Sequence, residues 1–543
     1  LDNDLASASD VDTDNRYDYG FDANVCRDDS FDWPTKLGWI KWSKRIEEDV
    51  VTNTIFVIAQ CEQPEGELKD YQKKMASELA RCFPLDKLTV SHWHTHDGSF
   101  FARRYFQVFS EYLKVHCQLT GLFWIAELNE VALATIEHIL RSSNTLTYLH
   151  LCDDLRSTSL TPALQANRTL THLNLRNARI RIAGAKALGE VLRLNCTLTH
   201  VSLPGNAISH IGAEAIAKGL EFNNVLVHLD IRDNWIGDQG AVAFAKAFES
   251  NSTLKYFDVG MVIEMQFKPD FYRPKSDFDD VKTDFIRDSG IKAIAKSLRS
   301  NCSLTYLDVH GNPFGDSSGA ALGEALRSNC TLNRLYLKGS RAVSLRGTMK
   351  TQFGNLAAAA FKRALQSRVT KVTHLDLCNT SMTSSCVISL AEALQSNITL
   401  VRLDLSCNSI DSFGAAAMAN GLKSNRTLTH LQLRGNHISD AGAVRFAQFL
   451  QSNDSLVYLD LISNSIKYSG AAAIAQALKS NRTLTHLQLG WNEVGDMGAV
   501  EFADTLQCNR ALVFLSLKCN QFSKSGRSML KQIKPLISCA LRI

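Results

Sequence analysis

Asn425-Arg-Thr-Leu-Thr-His-Leu-Gln-Leu-Arg-Gly-Asn-His-Ile-Ser-Asp-Ala-Gly-Ala-Val-Arg-Phe-Ala-Gln-Phe-Leu450 states the unit from which most of this chain is built. Leu428-x-x-Leu431-x-Leu433 alternates with period two, as a short strand does, and Ala441 to Leu450 places apolar residues at helical spacing. Units of this form open thirteen times, first at Leu146 and last at Leu512, and nine of the twelve steps between them are 28 residues. Such a period means strand and helix units stacked side by side, each burying its apolar face on the next, so the chain's 543 residues do not translate into several globular domains.

Other positions keep the same phase. Asn436 and its counterparts suit a buried turn at the strand's end, where an amide bonds backbone groups that the sheet leaves unpaired. Gly442 and its counterparts would let helix and strand pack closely. Ten Asn-x-Ser/Thr sequons occur, and nine share one phase between helix and next strand, which points to bonding at the helix end rather than to glycosylation. Cys196, Cys302 and Cys330 stand where Arg168, Arg426 and Arg482 stand in other units. Interchange with Arg argues against obligate disulfides there and for a cytoplasmic or other reducing intracellular compartment. The chain begins with Leu1 rather than Met, which leaves a targeting segment ahead of it open.

The pattern resembles the ribonuclease-inhibitor class of leucine-rich repeats, shared by that inhibitor, the repeat arms of NOD-like receptors and the Ran GTPase-activating proteins. The resemblance covers about 400 residues. It implies an α/β solenoid, a horseshoe with a parallel concave sheet and outer helices, of about 13 regular repeats plus degenerate N-terminal capping units. The expected order is an acidic extended or disordered arm over 1–49, then irregular α/β capping units, or alternatively a separate small domain, over 50–145. Repeats follow over 146–520, with insertions within 260–285 and 338–355, and a capping helix closes the chain over 521–543. Both insertions fall between strand and helix, in units separated by one other, so their roots should lie about 10 Å apart.

Composition narrows the function. Hydrophobic residues make up 45% and charged residues 21%, and no apolar run approaches the length of a membrane span. The net charge of +4 hides ten Asp among the first 34 residues, but the basic residues of the remainder are scattered, which argues against a nucleic-acid face. No Gly-x-x-x-x-Gly-Lys-Ser/Thr phosphate loop and no His-Glu-x-x-His helix occurs, so no catalytic residue and no cofactor is expected. His92, His94 and His96 alternate as zinc ligands on a strand would, though loop or structural histidines are the commoner case.

Strand positions two and four after each opening leucine should face the concave side. The first column runs through His172, His200, His228, Tyr256, Tyr306, Arg334, His374 and Arg402, and the second holds Asp230, Asp258, Asp308, Asp376, Asp404 and Asp460. Such residues are enriched at protein-binding hot spots. The chain is therefore expected to be a non-catalytic scaffold for a protein partner, possibly as a subunit of a larger assembly. The expected contacts are Tyr256, Asp258, Tyr306, Asp308, Arg334 and Tyr336, with Phe271, Tyr272, Arg341 and Arg346 of the insertions. Two other functions fit the resemblance: a GTPase-activating protein of the Ran type, and the sensor arm of an immune-type receptor.

Overall fold

The computed structural model describes residues 32–35, 38–47, 50–58, 87–90, 119–124, 128, 130–152, 160–261, 285–339, 343–344, 347–348, 351–533 and 539–543. Their main feature is one 16-stranded sheet in which neighbouring strands are parallel and follow chain order, from Lys87–Val90 at one edge to Ala540–Arg542 at the other. A helix follows nearly every strand and packs on the helices of the units before and after. This is an α/β leucine-rich-repeat solenoid.

Each strand is short because only its middle residues are needed to cover the core. In the unit at 425–450, Leu428, Leu431 and Leu433 are buried while His430 and Gln432 face away from the core. Ala443, Phe446, Ala447 and Leu450 return from the helix to the same interior. Burying a side chain of leucine or phenylalanine size contributes about 1.5–3 kcal/mol.

Parallel strands linked through helices leave unpaired backbone at both ends of each strand, and two rows of asparagine satisfy it. At the strand's exit, Asn436 Nδ2 donates to Leu433 O at 2.9 Å and to Leu405 O of the preceding unit at 3.0 Å, while Asn436 Oδ1 accepts from Ile410 N at 3.1 Å. At the entry, Asn425 Nδ2 donates to Leu394 O at 2.8 Å and Asn397 O at 3.0 Å, and its Oδ1 accepts from Thr427 N and Leu428 N. The second row contains the nine in-phase sequons, whose asparagines are at most 6% exposed. A glycan on Nδ2 would displace those bonds, so the sequon phase is architectural in the folded chain.

A third row joins the helices. Asp440, in the first turn of its own helix, accepts from Lys467 N, Ser469 Oγ and Gly470 N at the start of the next. Asp238, Asp288, Asp316 and Asp496 act in the same way. A carboxylate there satisfies N–H groups that a helix start leaves unpaired. Gly442 serves a close approach between helices rather than the expected one between helix and strand. A Cβ on it would lie 2.8 Å from Ala415 Cβ of the preceding helix and 2.5 Å from Ile438 Cγ2.

Both ends depart from the unit. Strands Asp32–Thr35, Gly38–Glu47 and Val50–Ile58 form a separate antiparallel sheet, and Glu47 pairs with Val50, so the strands on either side of residue 49 belong to one hairpin. Lys87–Val90 and Gly121–Trp124 extend the main sheet. At the other end the expected closing helix, 521–543, divides. The described helix there is Lys524–Ile533, and residues 534–538 lie outside the described residues. Ala540–Arg542 then adds a strand, with Leu541 buried and Leu517 N donating to Arg542 O at 2.7 Å. The last repeat strand thereby gains a partner for its open edge.

Between Tyr256–Asp258 and Arg334–Tyr336, which lead into the two insertions, lies the single strand Tyr306–Asp308. Residues 262–284 of the first insertion lie outside the described residues, whereas the second contains a small hairpin, Val343–Ser344 with Gly347–Thr348. It rejoins the repeat at Thr351, whose hydroxyl donates to Asn312 O at 2.8 Å.

Replacing Asn436 with alanine leaves the carbonyls of Leu405 and Leu433 buried without that donor. A loss of about 1–3 kcal/mol is expected. Urea unfolding should show a lowered midpoint for Asn436→Ala, whereas exposed Arg445→Ala should stay within about 0.5 kcal/mol of the parent.

Candidate functional site

The rows of asparagine hold every strand in one register, so side chains of equal phase meet across the concave face. Tyr256 pairs with Tyr306 and Tyr306 with Arg334, while Asp258 pairs with Asp308 and Asp308 with Tyr336. These six residues therefore occupy one contiguous patch on three strands. Phe271, Tyr272, Arg341 and Arg346 lie outside the described residues, as do His92, His94 and His96.

The first column is a stack of rings. Phe123, in register with His150 of the second column, stacks on Tyr148, from which the first column passes through His172 and His200, the last two 4.2 Å apart and nearly parallel. It continues through His228, 3.8 Å from Tyr256, which lies 4.0 Å from Tyr306; Tyr306 is then 5.1 Å from Tyr336 in the second column. Contacts of this kind add about 0.5–1.5 kcal/mol beyond the area they bury. A second stack, His430, Tyr458, His486 and Phe514, ends under the Arg542 guanidinium, 5.1 Å from the Phe514 ring. Between the stacks Arg334 and Arg402 flank His374.

Five of these histidines follow a threonine whose hydroxyl bonds ring Nδ1. Thr429 Oγ1 lies 2.7 Å from His430 Nδ1 and 3.3 Å from Val401 O, so hydroxyl and ring share one hydrogen bond. Thr171, Thr199, Thr373 and Thr485 repeat the arrangement. A ring held at Nδ1 in this way keeps Nε2 for a partner outside the row. Burial holds His228, His374 and His430 down to about 4, helped by neighbouring imidazoles and guanidiniums.

The carboxylates are less available than their position on the strand suggests. Asp258 is 1% exposed and Asp308 is 8% exposed. Asp258 Oδ1 accepts from Gly260 N at 2.9 Å and its Oδ2 from the Tyr256 hydroxyl at 3.3 Å. Arg232 reaches both Asp230, at 2.9 Å, and Asp258, at 3.2 Å, and His310 Nδ1 lies 2.8 Å from Asp308 Oδ1. Burial and Asp308 hold the Asp258 carboxyl well above the usual range, against the pull of Arg232. Burial alone would lower His310, but Asp308 overcomes it and raises the imidazole to about 9. Farther along, burial and Asp404 push Asp376 up to about 8, and burial raises Asp460 to about 6.

The expected patch thus splits into two layers. Tyr256, Tyr306 and Tyr336 show part of their rings and Arg334 is exposed, whereas Asp258 and Asp308 are turned to their own neighbours. Arg232 and His310 were not foreseen. Their signal is a basic residue two positions after a second-column Asp, as in Asp230-Ile-Arg232 and Asp308-Val-His310. One stretch, Gly315-Asp-Ser-Ser-Gly319, has the Gly-x-Ser-x-Gly spacing of a hydrolase nucleophile elbow. Its Ser317 is exposed in the first turn of a helix, and among the described residues no imidazole is bonded to it. Ser318 is buried and bonded to Asp288.

Stacked units that present side chains from one parallel sheet define a repeat solenoid. Seven units match a family model described as Leucine Rich repeat, at residues 166–189, 194–217, 222–245, 300–323, 396–419, 424–447 and 480–503. The chain therefore carries leucine-rich repeats, which generally mediate protein–protein interaction. No curated protein matches it. A solved structure of Leiomodin-1 Actin-Binding Site 2 (ABS2) is similar over 27% of this chain and 84% of that one, at 21% identity and a TM-score of 0.24. Among the described residues no helix is long and apolar enough to cross a membrane.

The His310–Asp308 contact makes a signed prediction. A histidine raised from 6.5 to about 9 contributes stability that is fully present below 6.5 and is lost as pH rises through about 9. The advantage of the parent chain over His310→Gln in urea unfolding should therefore shrink across that interval. An advantage that stays constant or grows would contradict the protonated pairing.

Proposed function

We propose that this protein is a non-catalytic scaffold, with repeats of the ribonuclease-inhibitor class, that holds a protein partner on the concave face between Tyr256 and Arg334. The observation that carries the reading is the change in the first column. A run of stacked imidazoles passes into Tyr256 and Tyr306 and then into exposed Arg334, with Tyr336 beside it. Large rings held rigid by their neighbours lose little conformational freedom when a partner arrives, and tyrosine and arginine dominate measured hot spots.

Asp258 and Asp308 act in this reading by fixing the Tyr256 and Tyr306 hydroxyls, at 3.3 and 3.4 Å, rather than by touching the partner. Phe271, Tyr272, Arg341 and Arg346 belong to the same contact set because their insertions spring from the outer two of these three strands. Membership of a larger assembly follows naturally for a molecule whose main asset is rigid surface. A reducing compartment is supported by exposed Cys196, Cys302 and Cys330, free thiols at positions that Arg fills elsewhere.

Partner capture from the native source tests the reading. Tyr306→Ala combined with Arg334→Glu should weaken recovery of the partner by about thirtyfold or more, the effect of losing at least 2 kcal/mol at a hot spot. Undiminished recovery with the fold intact would remove this patch from the interface.

A further inference from the structure

Between the units that open at Leu170 and Leu512, one has neither of the asparagines that tie a unit to its predecessor. In the unit opening at Val372, Val369 stands at the entry, where Asn425 stands in its own unit, and Thr380 at the exit, where Asn436 stands. Val369 has no polar group for Leu326 O and Asn329 O, the counterparts of Leu394 O and Asn397 O. Thr380 Oγ1 bonds Leu377 O of its own unit at 2.7 Å and Asn408 Oδ1 of the next at 3.4 Å, and neither bond reaches back to Leu337 O, the counterpart of Leu405 O. Thr370, beside Val369, is 1% exposed, and its hydroxyl has no hydrogen-bond partner among the described residues. The row of carboxylates lapses at the same place. Asp316, one unit earlier, accepts from Gly354 N, Leu356 N and Ala357 N of the next helix. Its counterpart Asn355 reaches only side chains there, the Ser385 hydroxyl at 3.2 Å and the Cys386 thiol at 3.8 Å. Toward the following unit the ties are in place: Asn397 Nδ2 donates to Leu365 O at 2.8 Å, and Asn408 Nδ2 to Leu377 O at 2.9 Å.

The stability of a solenoid is divided among its units and the interfaces between neighbours, so local opening follows the interface with the fewest ties. We propose that the junction between Arg334–Tyr336 and His374–Asp376 is a hinge, at which the sheet opens while the units on either side stay closed. Strand pairing and apolar packing still cross it, with Ser367 Oγ bonded to Arg327 O and Thr373 Oγ1 to Asn333 O, both at 3.2 Å and exposed. Asn379 Nδ2 also donates to Gly339 O at 3.0 Å, and Phe353 N to Thr380 O at 2.9 Å. Opening lets water reach the Thr370 hydroxyl, which the closed junction leaves unbonded. The strand of Arg334 is the last before the junction, and the ring stack from His430 to Phe514 lies beyond it. Bending there turns one half of the sheet's face relative to the other.

Hydrogen–deuterium exchange of the full chain under native conditions, read by mass spectrometry, tests the hinge. Leu337, Gly339, Thr373 and His374 donate their N–H groups across this junction, and Leu405, Cys407, Thr429 and His430 donate theirs across the one between Arg402–Asp404 and His430–Gln432. The first set should exchange about tenfold or more faster than the second. Val369→Asn with Thr380→Asn should slow the first set toward the second and raise the urea midpoint. Asn425→Val with Asn436→Thr should do the reverse, bringing fast exchange to Thr429 and His430. Circular dichroism reports whether each variant is folded, and Val369→Asn alone replaces the pair if the pair is not. The proposal is overturned if the two sets exchange alike in the parent, or if a folded variant with the added asparagine leaves the first set as fast as before. It is equally overturned if folded Asn425→Val with Asn436→Thr leaves Thr429 and His430 slow.

Discussion

The amide of a buried asparagine, shared between one unit's backbone and the next, is the interaction on which the rest of this structure depends. Short parallel strands cannot satisfy the backbone at their own ends, and an unpaired buried carbonyl costs about as much as several buried methyl groups gain. Asn425 at the entry and Asn436 at the exit each answer that demand twice over, by donating to two carbonyls and accepting from the backbone with the remaining oxygen. Because the partners lie in the adjacent unit, the same bonds set the spacing between units. Asp440 and its counterparts do this for the helices.

From that constraint the concave face follows. Once strands are locked in register, a residue repeated at one phase becomes a column, and chemistry depends on what a column contains over three or four consecutive units. Histidines after threonine form a stack tied at Nδ1 to the threonine hydroxyls; tyrosines continue the stack and add buried hydroxyls; arginines interrupt it. Paired carboxylates are tolerated where Arg232 and His310 neutralise them. In the proposed reading a partner docks where column identity changes, since a uniform column offers it no register of its own.

Much of this was legible in the sequence. The 28-residue period with its alternating leucines shows strands, helices and their order, and period two alone tells which residues leave the core. Alternation does not say what a side chain meets after it leaves. Asp258 and Asp308 face the concave side as the pattern demands, yet are consumed by Gly260 N, His310 and the tyrosine hydroxyls. Arg232 was hidden for the same reason, since its second partner, Asp258, is 26 residues away. Gly442 misled because a small residue announces a close approach without naming the neighbour. The closing strand Ala540–Arg542 has three residues and no repeat to announce it.

Hydroxyl-radical footprinting of the free chain and of the complex with its captured partner tests most directly whether the concave rings are the binding face. Tyr256, Tyr306 and Tyr336 should be modified in the free chain and protected in the complex, while exposed Phe222 and Phe413, on the helical side, react equally in both. Protection of Phe222 or Phe413 with the three tyrosines unchanged would place the partner on the helices and contradict the concave face as the functional surface.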